Sequence, residues 1–227
     1  YYPKIATLKI SSQSVISLGT TTRVFQTNNG WAYRSSFGHD TLGSRALLME
    51  SGYSSGAPIL HYFSLSDVSK DIAAPSWIIG SSSMYGHCVR FLSDSLAIVI
   101  WVQSATQVYW RLVSLTDTSL SFTSMGMLNI PDFGWGSSDR LTLTPLVLAA
   151  NKVALVTAGT LAGYPKLTLG TLNADATDIS WEPSIDLPFG SKINGMYITA
   201  GYDAVRQSLL ISQYSAAVSP LALSAKV

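Results

Sequence analysis

The sequence predicts an all-β fold of repeated four-stranded antiparallel units, and three observations carry that prediction. Four apolar runs, ALLM (46–49), AIVI (97–100), VALV (153–156) and SLLI (208–211), recur at spacings of 51, 56 and 55 residues. After each comes a second strand-like segment: PILHYFSL (58–65), VYWRLVSL (108–115), PKLTLGTL (165–172) and PLALSAKV (220–227), with a fifth copy, PKIATLKI, at 3–10. Two independent sets of anchors sharing one period is the signature of a repeat architecture. Composition agrees: Glu50 and Glu182 are the only glutamates, whereas β-branched and aromatic residues are plentiful.

Two further strands complete each unit. A segment preceding the apolar run reads AYRSSFG (32–38), HCVRFL (87–92), LTLTPLVL (141–148) or MYITAGY (196–202). It ends at a turn carrying Asp40, Asp94, Asn151 or Asp203, residues that hairpin turns favour because their short side chains cap nearby backbone N–H groups. A last segment reads SVISLG (14–19), PSWII (75–79), LSFTSMGML (120–128) or ISWEPSIDL (179–187), reached through the polar turns SSQ, SDVSK, TDTS and NADATD.

The apolar run is hydrophobic at successive positions, so both of its faces need cover. A strand with one wet face alternates instead. Stacking each sheet between two like sheets provides that cover, and radial repetition also protects the sheet edges. The expected architecture is therefore a small β-propeller of four-stranded antiparallel blades. It forms a single domain over 1–227, with units of approximately 3–57, 58–107, 108–164 and 165–219, and 220–227 starting a further one. The ring is expected to close through its N- and C-terminal strands. Counting this way gives four blades, with five as the alternative, because residues 3–10 and 220–227 compete for one slot. The surplus copy can also add to an edge or swap into a neighbouring molecule, giving a homo-oligomer through the terminal strands.

Charge and hydropathy exclude several function classes. Charged residues are 12% of the chain, against about 25% in typical soluble domains, and the net charge is +1. No basic stripe is present to displace counterions from phosphates, so no nucleic-acid partner is expected. The longest apolar run, 96–102, is far shorter than the roughly 20 residues a membrane helix needs, and no membrane insertion is expected. One cysteine, Cys88, excludes an internal disulfide framework and reads as a small hydrophobe in CVRFL.

Catalytic signatures are not found: there is no G-x-S-x-G, no GxxxxGK[ST] and no H-E-x-x-H. His39, His61 and His87 are too widely spaced for a local ligand cluster, so no metal and no cofactor are expected. Asp178, Glu182 and Asp186 around Trp181 would suit paired-carboxylate glycoside hydrolysis or, equally, a charge-protected strand edge. Trp101 and Trp110 lie inside strands and read as packing residues. The suggestive feature is aromatic. The connections between units, NNGWAYR (28–34), SSSMYGH (81–87), DFGWGSS (132–138) and INGMYIT (193–199), each carry an aromatic among Gly, Ser or Asn. On one face of a propeller, Trp31, Tyr85, Trp135 and Tyr197 would form a ring able to stack on sugar faces. Asn28, Asn29, Ser137 and Asn194 would supply hydrogen bonds there. The alternative is that these aromatics wedge between blades or plug the channel.

The succession of a polar turn, KVALV, a Gly-containing turn, YPKLTLGTL and TDISW resembles repeats in tail-fibre and other virion proteins of bacteriophages. That resemblance implies a non-enzymatic structural or receptor-binding module, virion-borne or extracellular. Its partners would be other virion proteins or a host-surface glycan. A further likeness runs to lectin propellers, implying carbohydrate binding, and to sialidase-type propellers, implying a glycosidase with degenerate repeats. The sialidase box S-x-D-x-G-x-T-W is absent, and ISWEP keeps only its tryptophan end.

Overall fold

A computed structural model describes residues 4–5, 8–10, 16–18, 22–23, 34–42, 44–51, 58–64, 76–80, 86–103, 106–116, 119–130, 142–158, 165–187, 197–215 and 218–226. All regular structure among them is β-strand, with no helix, and every strand pair is antiparallel. The chain divides into two compact units, Tyr1–Met84 and Tyr85–Val227.

In the first unit, β1 (Lys4–Ile5) pairs with β4 (Thr22–Arg23), and β2 (Leu8–Ile10) pairs with β3 (Ile16–Leu18). Sheet I follows as a meander of β5 (Arg34–His39), β6 (Arg45–Ser51), β7 (Ile59–Ser64) and β8 (Ser76–Ile78). Ala46, Leu47, Leu48 and Met49 on β6 are all buried, so neither face of this strand is wet. That is the outcome expected of the ALLM run.

The second unit holds three sheets built to one plan. Sheet II contains β9 (Gly86–Ser93), β10 (Leu96–Val102), β11 (Gln107–Leu115), β12 (Leu120–Phe122) and β13 (Gly126–Asn129). Sheet III contains β14 (Thr142–Ala149), β15 (Lys152–Ala158), β16 (Lys166–Leu172), β17 (Ile179–Trp181) and β18 (Ile185–Asp186). Sheet IV contains β19 (Tyr197–Asp203), β20 (Ser208–Ser215) and β21 (Val218–Lys226). The strands ALLM, AIVI, VALV and SLLI occupy second position in sheets I to IV. Because these strands open at Arg45, Leu96, Lys152 and Ser208, Leu209 rather than Ser208 is the counterpart of Ala46, Ala97 and Val153.

Sheet III lies between the other two. Val153 and Leu155 pack with Ile98, Ile100, Trp110 and Leu112 of sheet II. The intervening residues Ala154, Val156 and Ala158 point the other way and pack with Leu209 and Ile211 of sheet IV. Alternate residues of one strand thus feed two separate cores, which is why the run shows no polar alternation. The first strands of neighbouring sheets adjoin, β9 beside β14 and β14 beside β19.

One feature departs from the sequence expectation. The segments 120–128 and 179–187 are not continuous fourth strands. Each breaks into two short strands separated by three residues, both pairing with the same third strand. The N-terminal segment is built alike, with β3 and β4 again three residues apart. In sheet II the break turns on Thr123, whose Oγ1 accepts from Leu112 N–H at 3.0 Å while its own N–H donates to Leu112 carbonyl at 3.1 Å. The side chain thus fills a ladder position that the backbone leaves open.

Candidate functional site

The predicted aromatic ring falls almost wholly outside the described residues: Trp31, Tyr85, Trp135, Asn28, Asn29, Ser137 and Asn194 all do. Tyr197 opens β19, opposite Tyr214 in the register of sheet IV. Trp101 and Trp110 are core residues, at 0% and 4% exposure, as their in-strand positions implied.

The recurrent acids at the first turn of each sheet are turn residues where their contacts are defined. Asp40 Oδ1 accepts from the backbone N–H groups of Ser44 (2.8 Å) and Arg45 (3.2 Å), and Oδ2 accepts from Ser44 Oγ at 2.8 Å. Burial pushes this carboxyl up, but those hydrogen bonds and the Arg45 charge outweigh it and hold the acid below its ordinary value. Asp203 accepts from Val205 and Arg206 N–H groups and pairs with the Arg206 guanidinium at 2.7 Å, which lowers it too. Each carboxylate is occupied in closing its own hairpin.

The carboxylates around Trp181 are dispersed in their roles. Asp186 Oδ1 pairs with the buried Lys166 ammonium at 2.5 Å across the β16–β18 rung. Asp178 Oδ1 accepts from Ile179 N–H at 2.9 Å, and Glu182 is exposed. Among the described residues no three His, Cys, Asp or Glu side chains are grouped as metal ligands. Cys88 is half-buried against the core between sheets II and III. Burial raises its thiol to about 11, with the Arg90 charge and a contact to the Val89 carbonyl opposing.

Sequence reasoning missed one buried ionisable pair. Glu50 and His61, on adjacent strands of sheet I, are 5% and 6% exposed, and Nε2 lies 3.5 Å from Oε1. Desolvation raises the Glu50 carboxyl, and the His61 imidazole offsets only part of that. The residues sit eleven apart with nothing local to link them; the β6–β7 register, which sets Leu48 opposite His61, brings them together.

Among the described residues, open clefts lie between sheets II and III, two of which are lined as follows. The smaller, about 420 Å³, sits at the turns and is lined chiefly by Leu92, Leu96, Leu172 and Ala176 with Asn151 and Asn173. The Asn173 side chain is spent on its own turn, with Oδ1 accepting from Thr177 and Asp178 N–H groups. The larger, about 560 Å³, runs beside the interrupted fourth strand of sheet II. It presents hydroxyls from Ser121, Ser124 and Thr177 and the Asp178 carboxylate next to Phe122 and Met125. Hydroxyls and one acid beside an apolar surface can hydrogen-bond a polyhydroxylated ligand while packing on its C–H faces. Among the described residues Asp178 is the one carboxylate lining that cleft. No protein-family model matches the chain, and no curated protein is similar to it in sequence.

Proposed function

We propose that the four sheets are blades of a small propeller, four in number, whose ring is closed by the N- and C-terminal strands. We propose that it serves as a non-enzymatic structural or receptor-binding module of a virion or fibre, with another virion protein or a host-surface glycan as partner. The observation that carries the architectural part is the two-sided burial of β15 between β10 and β20. Sheets with two greasy faces are satisfied by stacking on their own copies around an axis, which disposes of exposed edges. The adjoining first strands β9, β14 and β19 fit an arrangement whose sheets converge toward that axis. In support of a binding role, Asp40, Asp178, Asp186 and Asp203 are engaged in turns and a cross-strand rung, and charged residues are only 12% of the chain.

A carbohydrate-binding role of the lectin kind is the second reading. The hydroxyl-lined cleft beside Phe122 favours it. One experiment separates the two. The purified chain is presented to a glycan array and, separately, used to block adsorption of virions to host cells. Glycan binding that weakens with Trp135→Ala or Phe122→Ala supports sugar recognition. Silence on the array with retained incorporation into particles supports the structural role. Hydrolysis of a glycan, lost with Glu182→Gln, would instead make the chain a glycosidase.

A further inference from the structure

Building on the carbohydrate-binding reading, we infer that the cleft of about 560 Å³ between sheets II and III is a subsite for one uncharged sugar ring of a glycan, and that it rejects acidic sugars.

The sequence of β11 sets the first wall. Val108, Trp110 and Leu112, at alternate positions, pack in the core shared with sheet III. Ser114 is the next residue on that face, and Ser121 of β12 lies directly opposite it. The face that buries the core therefore ends, at the cleft, in a pair of exposed hydroxyls. The same rung of sheet III, Thr171 opposite Ser180, is built differently. There Lys152, facing Thr171 from β15, donates from Nζ to the Thr171 hydroxyl at 2.6 Å. In sheet II the position of that lysine is held by Leu96, which has no side-chain donor. Among the described residues the Ser114 and Ser121 hydroxyls thus keep their hydrogen-bonding capacity.

The turn of sheet III sets the second wall. Thr177 is joined to the Asn173 side chain at 2.9 Å and belongs to the turn itself. Asp178 engages Oδ1 with the Ile179 N–H, which leaves Oδ2 as an acceptor at the cleft. Ser124 and Met125, from the break between β12 and β13, complete the lining, and Met125 is 46% exposed. Hydroxyls that donate and accept, a carboxylate oxygen that only accepts and an exposed apolar side chain complement a pyranose. Its hydroxyls do both, and its C–H faces are apolar.

One further donor adjoins the cleft. The Trp110 indole, 4% exposed, packs on Gly126, which is itself part of the lining. Among the described residues its Nε1–H has no acceptor. Buried donors are normally satisfied, and an orphan beside a cleft suits a ligand oxygen or the water that bridges to one.

The charge of the lining selects the class of sugar. Among the described residues Asp178 is the one charged group there, and no Lys, Arg or His accompanies it. Its carboxylate accepts from the hydroxyls of a neutral ring. A uronic or sialic carboxylate, or a sulfate, would set like charges side by side.

The test applies the full chain to an array of neutral and acidic glycans. The expected result is binding confined to the neutral ones. Ser114→Ala/Ser121→Ala removes two hydrogen bonds and is expected to weaken that binding about tenfold. Asp178→Asn keeps an acceptor for the Ile179 N–H, should weaken neutral binding, again about tenfold, and should narrow the preference for neutral over acidic glycans. Asn151→Ala, in the smaller cleft, should change nothing. Ser124→Trp fills the cleft from an exposed position outside the ladder and is expected to abolish binding, which keeps the test decisive if another variant misfolds. Neutral-glycan binding that survives Ser124→Trp puts the sugar elsewhere and overturns the inference while the carbohydrate-binding reading stands. Binding confined to acidic glycans overturns it equally. Silence on every glycan overturns that reading and the subsite with it.

Discussion

The indole of Trp110 in sheet II meets that of Trp181 in sheet III edge-on, with ring centroids 6.2 Å apart and planes inclined at 70°. Each ring lies against a glycine directly across its own sheet, Trp110 opposite Gly126 and Trp181 opposite Gly170. A Cβ at Gly126 would sit 2.2 Å from the Trp110 ring, and one at Gly170 would sit 2.8 Å from both Trp181 and Ile179. These glycines are kept for close approach, making room for the aromatic that joins two sheets.

Alanine at either glycine should therefore be costly. Gly126→Ala and Gly170→Ala are each expected to destabilise by about 1–3 kcal/mol through overpacking. Gly201→Ala, with nothing within 4 Å, should leave stability unchanged. Urea unfolding of the three variants checks this. Equal effects at all three positions would show that backbone freedom, not the rings, explains the glycines.

The two faces of β15 should respond differently to changes of size. Leu155, fully buried toward sheet II, is expected to lose about 2–5 kcal/mol on Leu155→Ala, the usual transfer-plus-cavity cost. Ala154 is fully buried toward sheet IV, so Ala154→Leu is expected to cost about 1–3 kcal/mol through overpacking. Calorimetry would sink the stacked-sheet account if Ala154→Leu were neutral.

Two acids of sheet I should shift stability in opposite directions with pH. Asp40 is held below its ordinary value near 3.8, so its contribution is present above that value and lost as pH falls through the folded pKa. Asp40→Ala is expected to cost about 1–3 kcal/mol at pH 7, with the difference closing in strong acid. Glu50 is raised above its ordinary 4.5, so its contribution is present below 4.5 and lost as pH rises through the folded pKa. The stability of the unmodified protein relative to Glu50→Gln should therefore fall as pH rises from 4.5. Melting temperatures across that range decide the matter, and parallel curves would mean the carboxyl is not desolvated.

Cys88 should be slow to react. With its thiol near 11, the thiolate fraction at pH 8 is small, so labelling by a disulfide reagent is expected to lag far behind that of the unfolded chain. Immediate labelling of the native protein would show that β9 opens readily.

Much of this was legible in the sequence because it is periodic. The unbroken hydrophobicity of AIVI and VALV announced two covered faces, and the turn chemistry of Asp40 and Asp203 needs only residues within five positions. Lys166 with Asp186 and Glu50 with His61 were not legible, since strand register brings each pair together across 20 and eleven positions. The break in the fourth strand was half legible: Pro183, which cannot donate to a ladder, marks it between β17 and β18, whereas residues 123–125, Thr-Ser-Met, carry no such breaker. The aromatic ring of Trp31, Tyr85, Trp135 and Tyr197 stands as a sequence expectation, with Tyr197 alone on a described strand.

By itself the sequence determined the strand content, the four-part repeat and the need for cover on both faces of each second strand. Local periodicity and turn propensity suffice for those, because each depends on neighbours along the chain. The tertiary structure decided which residues of β15 face which sheet, where glycines must admit a tryptophan and which acids are paired. Among the described residues it also left Leu210 of sheet IV exposed, unlike Leu47, Ile98 and Ala154 at the same strand position. Those outcomes depend on register and packing between strands far apart in the chain, which no local pattern encodes.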